Sequence, residues 1–284
     1  MAEAARQLPP METPVEALVR RDRLIVAGGL AVLILLAWLW LLSGAGTGMD
    51  IRMTSRPALF PGGGDAMDMM AMGVASWSAA TWLLMIGMWW IMMIAMMIPS
   101  AAPMILLHAR VVRHARKRRE EAAPVPSGAF LAGYLAVWLG FSLAAAALQF
   151  LAGRAGLLSQ PMMWAVNVWL AAGLLVAVGL YQLSPLKRAC LEHCRAPAEF
   201  LSRMWRPGRL GALRMGVTHG AYCLGCCWGL MALLFVGGVM NVYWIVGLAI
   251  VVLIEKLLPR GDRLSLVIGP VLVLAGLWLA VRGL

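Results

Sequence analysis

Charge is what this chain has least of. Only 13% of its 284 residues are charged, while 62% are hydrophobic. A soluble globular domain carries roughly a quarter charged residues, and a disordered chain is poor in apolar ones, so neither class fits. The alternating short apolar segments of a membrane β-barrel are missing as well. No P-loop nucleotide motif occurs, which leaves no support for an intrinsic ATP-driven pump of that kind. The oxygen-rich shells that magnesium and calcium need are not found. Cysteine is absent from residues 1–189 and again from 228–284.

What the chain does have is long charge-free runs. These read as an all-α, polytopic helical membrane protein with about seven transmembrane helices. The expected helices cover residues 24–42, 79–98, 130–152 and 162–183, two more within 215–254, and 264–281. Pro99 is expected to break the second. Gly237, Gly238 and Asn241 are the expected turn between the fifth and sixth. The resulting divisions are a cytoplasmic tail 1–23, a first span 24–42, a Met/Gly-rich outer loop 43–78 and a six-helix metal-binding membrane domain 79–284. The first apolar run is long for a signal peptide and is expected to stay as an anchor.

The formal net charge is +11, which in a soluble protein would suggest nucleic acid. Here the basic residues sort by side. Arg6, Arg20, Arg21 and Arg23 precede the first span. Arg110, Arg113, Arg116, Lys117, Arg118 and Arg119 follow the second. Lys187, Arg188, Arg195, Arg203, Arg206, Arg209 and Arg214 follow the fourth, and Lys256, Arg260 and Arg263 the sixth. Only Arg52, Arg56, Arg154 and Arg282 remain for the other face. The positive-inside rule then puts the N-terminus in and the C-terminus out, as a multi-pass protein of the bacterial inner membrane. The partner implied by this charge is the lipid bilayer; no nucleic acid is needed.

All five cysteines fall between residues 190 and 227. His219, Cys223, Cys226 and Cys227 are offset by 0, 4, 7 and 8, so on a helix they share one stripe. Three thiols and an imidazole on one face suit a soft metal, although single membrane cysteines are ordinary core residues. Gly216 and Gly220, like Gly225 and Gly229, would let neighbouring helices approach closely. Cys190, His193 and Cys194 form a second, juxtamembrane constellation at i, i+3 and i+4. Its neighbours Lys187 and Arg188 would favour thiolates. Glu255 stands at the edge of an apolar span, expected to pair with a basic residue such as Lys256 or to act as a relay.

Methionine is abundant, with 21 residues. Met85, Met88, Met92 and Met96 follow helical spacing, with Met93 and Met97 beside them. Such a stripe serves core packing as readily as ligation. Met67, Met69, Met70 and Met72 crowd the outer loop, with Met49, Met53, Met162 and Met163 also on that face. Thioethers outside, thioethers through the membrane and thiols inside fit Cu(I) best. Zinc suits the cysteines and histidine but not the methionines.

Four stretches carry a family resemblance. They are Trp89-Trp90-Ile-Met92-Met93-Ile-Ala-Met96-Met97-Ile-Pro99-Ser100, Tyr181-Gln-Leu-Ser-Pro185-Leu-Lys187-Arg-Ala-Cys190-Leu-Glu-His193-Cys194, Gly220-Ala-Tyr-Cys223-Leu-Gly-Cys226-Cys227-Trp228 and Glu255-Lys256-Leu-Leu-Pro259. Together they resemble a bacterial uncharacterised-domain family of predicted metal-binding integral membrane proteins, some labelled copper chaperones. The resemblance spans about residue 82 to the C-terminus and implies a multi-span protein handling metal, copper foremost.

The expected function is therefore Cu(I) handling: chaperoning, storage or transport, with a copper donor or acceptor protein as partner. The outer methionines would capture the ion. Met92, Met93, Met96 and Met97 would hold it with Cys223, Cys226, Cys227 and His219. Cys190, His193 and Cys194 would exchange it. Homo- and hetero-oligomers are both compatible with the sequence. No catalytic residues are expected. The alternatives are a membrane thiol–disulfide relay, the one enzymatic reading, and a structural subunit of a membrane complex.

Overall fold

The structure is a computed structural model that describes residues 14–47, 55, 77–117, 127–158 and 163–283. Among these, ten helices form: α1 (Pro14–Leu42), α2 (Ala79–Lys117), α3 (Ser127–Arg154), α4 (Val168–Gln182), α5 (Pro185–Arg195), α6 (Pro197–Met204), α7 (Gly208–Ala232), α8 (Leu234–Gly237), α9 (Val242–Leu257) and α10 (Asp262–Arg282). The only strand-like pairing there is an isolated bridge, Leu158 to Ala165.

Among the described residues, five helices or joined helices are long and apolar enough to cross a bilayer, and six if the bent α4–α5 pair is one span. Their burial is unequal. The apolar windows of α2 and of α7–α8 are 61% and 67% buried, against 17% for α1 and 28% for α3 and α10. The fold is thus two central helices inside a shell whose outer faces carry exposed leucine, valine and tryptophan. The expected methionine and cysteine stripes lie on those two central helices.

Local chemistry sets the ends. Asn167 caps α4, its side chain accepting from the amides of Trp169 and Leu170 at 2.8 and 3.1 Å. The fourth helix consequently begins at residue 168, not at 162 as expected. Ser184 caps α5 and Pro185 starts it, turning the chain by 62° after α4. The expected turn after the fifth helix is present: Gly238 takes φ +99° and Asn241 caps α9. The expected break at Pro99 is not. α2 runs unbroken through Pro99 and Pro103 for 39 residues. Its neighbours on both sides, Met96, Met97, Ile98 and Ala101, are buried, and that packing outweighs the roughly 3 kcal/mol an interior proline costs. α2 carries on past the second expected span into the basic residues that follow it, as far as Lys117.

Close approach of helices positions the site. At Gly216 of α7, an added Cβ would collide with the Phe130 carbonyl of α3. At Gly225, about two and a half turns farther along α7, it would lie 2.7 Å from Cys190 Sγ of α5. The two sequence glycine pairs therefore seat α7 against α3 on one side and against α5 and α4 on the other. Met67, Met69, Met70 and Met72, with Met49, Met53 and Met162, lie outside the described residues.

Candidate functional site

The cysteine segment of α7 is sealed from solvent. Cys223, Cys226 and Cys227 are each 1% exposed. The thiols of Cys226 and Cys227 donate back to the Cys223 carbonyl at 3.1 and 2.8 Å. Adjacent helical residues diverge by about 100°, so the two sulfurs face different neighbours. Cys227 Sγ lies 3.7 Å from Met97 Sδ of α2, and Cys226 Sγ lies 3.9 Å from Cys194 Sγ of α5.

Cys223 faces a third direction. Its sulfur meets Tyr134 Oη of α3 at 3.1 Å, and Lys256 Nζ of α9 donates to it at 2.9 Å. Tyr134 Oη also contacts the Met97 carbonyl at 3.3 Å, an oxygen that Ser100 Oγ reaches at 2.9 Å. Lys256 Nζ closes the circuit to Ser100 Oγ at 3.3 Å. Five helices thus bring four thiols, a thioether, a phenol and an ammonium to one buried place.

The donor set is soft, as thiolate-binding metals require. Across a tetrahedron of 2.3 Å metal–sulfur bonds, two sulfurs stand about 3.8 Å apart. The Met97–Cys227 and Cys194–Cys226 pairs are at that spacing. Among the described residues, however, no three of His, Cys, Asp and Glu form a group that could hold a metal ion together.

The remaining predicted residues are placed as follows. His219 is buried among the rings of Phe130, Tyr134 and Phe200, with centroids 6.0, 5.9 and 5.4 Å away, and its Nδ1 has no partner. Met85, Met88, Met92, Met93 and Met96 are all buried with Met97 along α2. The burial is all round, as suits a central helix. Cys190 packs on Gly225. His193 is exposed, stacks on Tyr222 at 4.2 Å and has Nδ1 2.8 Å from the Ala189 carbonyl. The juxtamembrane constellation is therefore not a separate site. Because α5 lies on α7, Cys194 joins the central thiols while His193 points away.

The expected pairing of Glu255 with a basic residue is found, with a partner other than the neighbour named for it, and a second expected charge relation is corrected. Glu255 does not pair with its neighbour Lys256. Its carboxylate accepts from Lys187 Nζ at 2.7 and 2.8 Å and from Ser265 Oγ at 2.8 Å, all buried. Lys187, which also donates to Gln182, is thus committed to that carboxylate and not to Cys190 or Cys194. On a helix, neighbours 255 and 256 must face different ways.

Sequence reasoning missed Tyr134, Ser100 and Lys256 at the centre. It also missed His108, which is fully buried and stacked on Phe130 at 4.7 Å, with neither ring nitrogen partnered. Lys256 carried one signal, as one of two charged residues, with Glu255, in an otherwise apolar helix. Tyr134 carried none, since a tyrosine in a span is ordinary.

Residues 86–279 match the model of a family, PpoB2, described as a copper chaperone. The match begins close to the expected residue 82 and takes in every cysteine. No curated protein and no solved structure matches the chain.

Proposed function

The chain belongs to the PpoB2 copper chaperone family, and from that premise we infer that it is an inner-membrane protein carrying Cu(I) as cargo at its buried thiols. The observation that carries this reading is the convergence of Cys194, Cys223, Cys226, Cys227 and Met97 from three helices. Cu(I) is a soft ion that takes thioether together with thiolate, so a site that includes Met97 suits it better than it suits zinc, whose structural sites are built from cysteine and histidine. Met97 is the contact through which the methionines of α2 would pass the ion on to Cys227. The outer methionines would feed that helix, and a cytoplasmic copper acceptor would take the ion beyond Cys194.

The test is competition with a Cu(I)-specific chelator. Replacing Cys223, Cys226 and Cys227 together with serine keeps the volume and removes the soft donors. Tight Cu(I) binding should disappear while the protein still inserts. Equal affinity in the triple-serine and wild-type proteins would refute the site.

The Cys194–Cys226 spacing favours one rival, a thiol–disulfide relay. It would oxidise that pair to a disulfide, releasing two protons and passing two electrons to a quinone or another disulfide. All five cysteines lie between residues 190 and 227, so no thiol on the outer face would continue the chain. A thiol redox titration separates the two readings.

A further inference from the structure

The ammonium of Lys256 is the odd group at the thiol site. Lysine is 7% exposed here, and a buried ammonium is costly without an anion beside it. Among the described residues no carboxylate pairs with it. The adjacent Glu255 carboxylate is turned away, held by Lys187 and Ser265. The partners of Lys256 are Ser100 Oγ at 3.3 Å and Cys223 Sγ at 2.9 Å. Ser100 is neutral. The balancing negative charge must therefore come from the sulfurs.

We propose that Lys256 is the specificity-determining residue of the site, a fixed positive charge that makes it accept a monovalent soft ion bound by two thiolates and disfavour divalent ions. This inference rests on the cargo reading above. The charge count is direct. A monovalent ion on two thiolates carries −1, which one ammonium neutralises. A divalent ion on the same two thiolates is neutral and leaves the ammonium uncompensated in a medium of low dielectric. On all four of Cys194, Cys223, Cys226 and Cys227 it carries −2, again unmatched. Only three thiolates would balance it, and among the described residues no three such ligands are placed to hold one ion. Met97, a neutral donor, can join the monovalent complex without disturbing the count.

Lys256 would act through charge and not as a ligand, since a protonated amine has no free lone pair. Its hydrogen bonds to Ser100 and Cys223 hold that charge on the side of α7 facing α2.

The experiment compares full-length wild type with Lys256→Met and Lys256→Arg in the same detergent. Chelator competition gives the affinities for Cu(I), for Ag(I) as a second monovalent probe, and for Zn(II). Lys256→Met should lower Cu(I) and Ag(I) affinity by about tenfold or more, with Zn(II) affinity unchanged or higher. Lys256→Arg keeps the charge and should retain the wild-type ratio. A ratio of Cu(I) to Zn(II) affinity that is the same in Lys256→Met as in wild type would overturn the proposal. So would Lys256→Arg behaving like Lys256→Met. If Lys256→Met does not fold, Lys256→Gln retains a donor for Ser100 and is read by the same ratio. Failure of wild type to bind Cu(I) would instead remove the parent reading, so the two failures are distinct.

Discussion

Glu255 and Lys187 show how far a single residue can be read from sequence. A carboxylate at the edge of an apolar run announces that it needs a partner. Which partner is decided by the packing of α5 on α9, across 68 positions of chain, and local spacing does not reveal it. The same limit hid Tyr134 and Ser100, whose importance lies entirely in which sulfur or carbonyl they meet. The cysteines were legible because their chemistry and spacing are both local. The Lys187–Glu255 pair is 1% and 2% exposed, so removing one member leaves an uncompensated buried charge, at a cost of about 3–5 kcal/mol. Lys187→Met alone and Glu255→Gln alone should each lower the melting temperature markedly. The double replacement should recover much of the loss, and a double-mutant cycle of thermal melts measures it. Additive losses would mean that the pair is not coupled.

At the scale of elements, the glycine pairs were legible and the proline was not. Gly216 and Gly225 signal close approach through their spacing alone, because a missing side chain has only one steric consequence. Pro99 signals a lost donor, but whether a helix ends there depends on what surrounds it, and α2 is enclosed. Likewise, nothing local indicated that α5 folds back on α7 and carries Cys194 to Cys226. The α3–α7 contact is the more sensitive of the two glycine seats, since Gly216 meets backbone at Phe130 and that carbonyl has no rotamer by which to give way. Gly216→Ala should therefore push the helices apart, destabilising the fold by about 1–3 kcal/mol. It should also draw Tyr134 off Cys223, two turns along the same interface. Thermal melting together with Cu(I) competition tests this. A variant with wild-type stability would mean that α3 and α7 are not seated on that glycine.

At the scale of the whole molecule, composition announced a membrane protein, and the described helices accord with it. Composition did not reveal which helices are central, because lipid-facing and interior helices are equally apolar. The number of crossings turns on the bent α4–α5 pair and on α9. The 16 residues of α9 extend about 24 Å, short of the roughly 30 Å hydrocarbon core. Yet the chain turns at Gly238 so that Lys256, near the end of α9, meets Cys223 midway along α7, and Arg260 and Arg263 follow α9, while α7 starts beside Arg206 and Arg209. A hairpin of α7–α8 out and α9 back puts all of these basic residues on one face, as the positive-inside rule favours. If α9 did not return the chain, Arg260 and Arg263 would sit on the outer face and α10 would carry the C-terminus to the cytoplasm. We therefore expect a reporter fused after Leu284 to be outside and one inserted after Arg119 to be cytoplasmic. A cytoplasmic signal at Leu284 with the Arg119 fusion unchanged would remove one crossing, and the two short helices, α4 with 15 residues and α9 with 16, are the ones to lose.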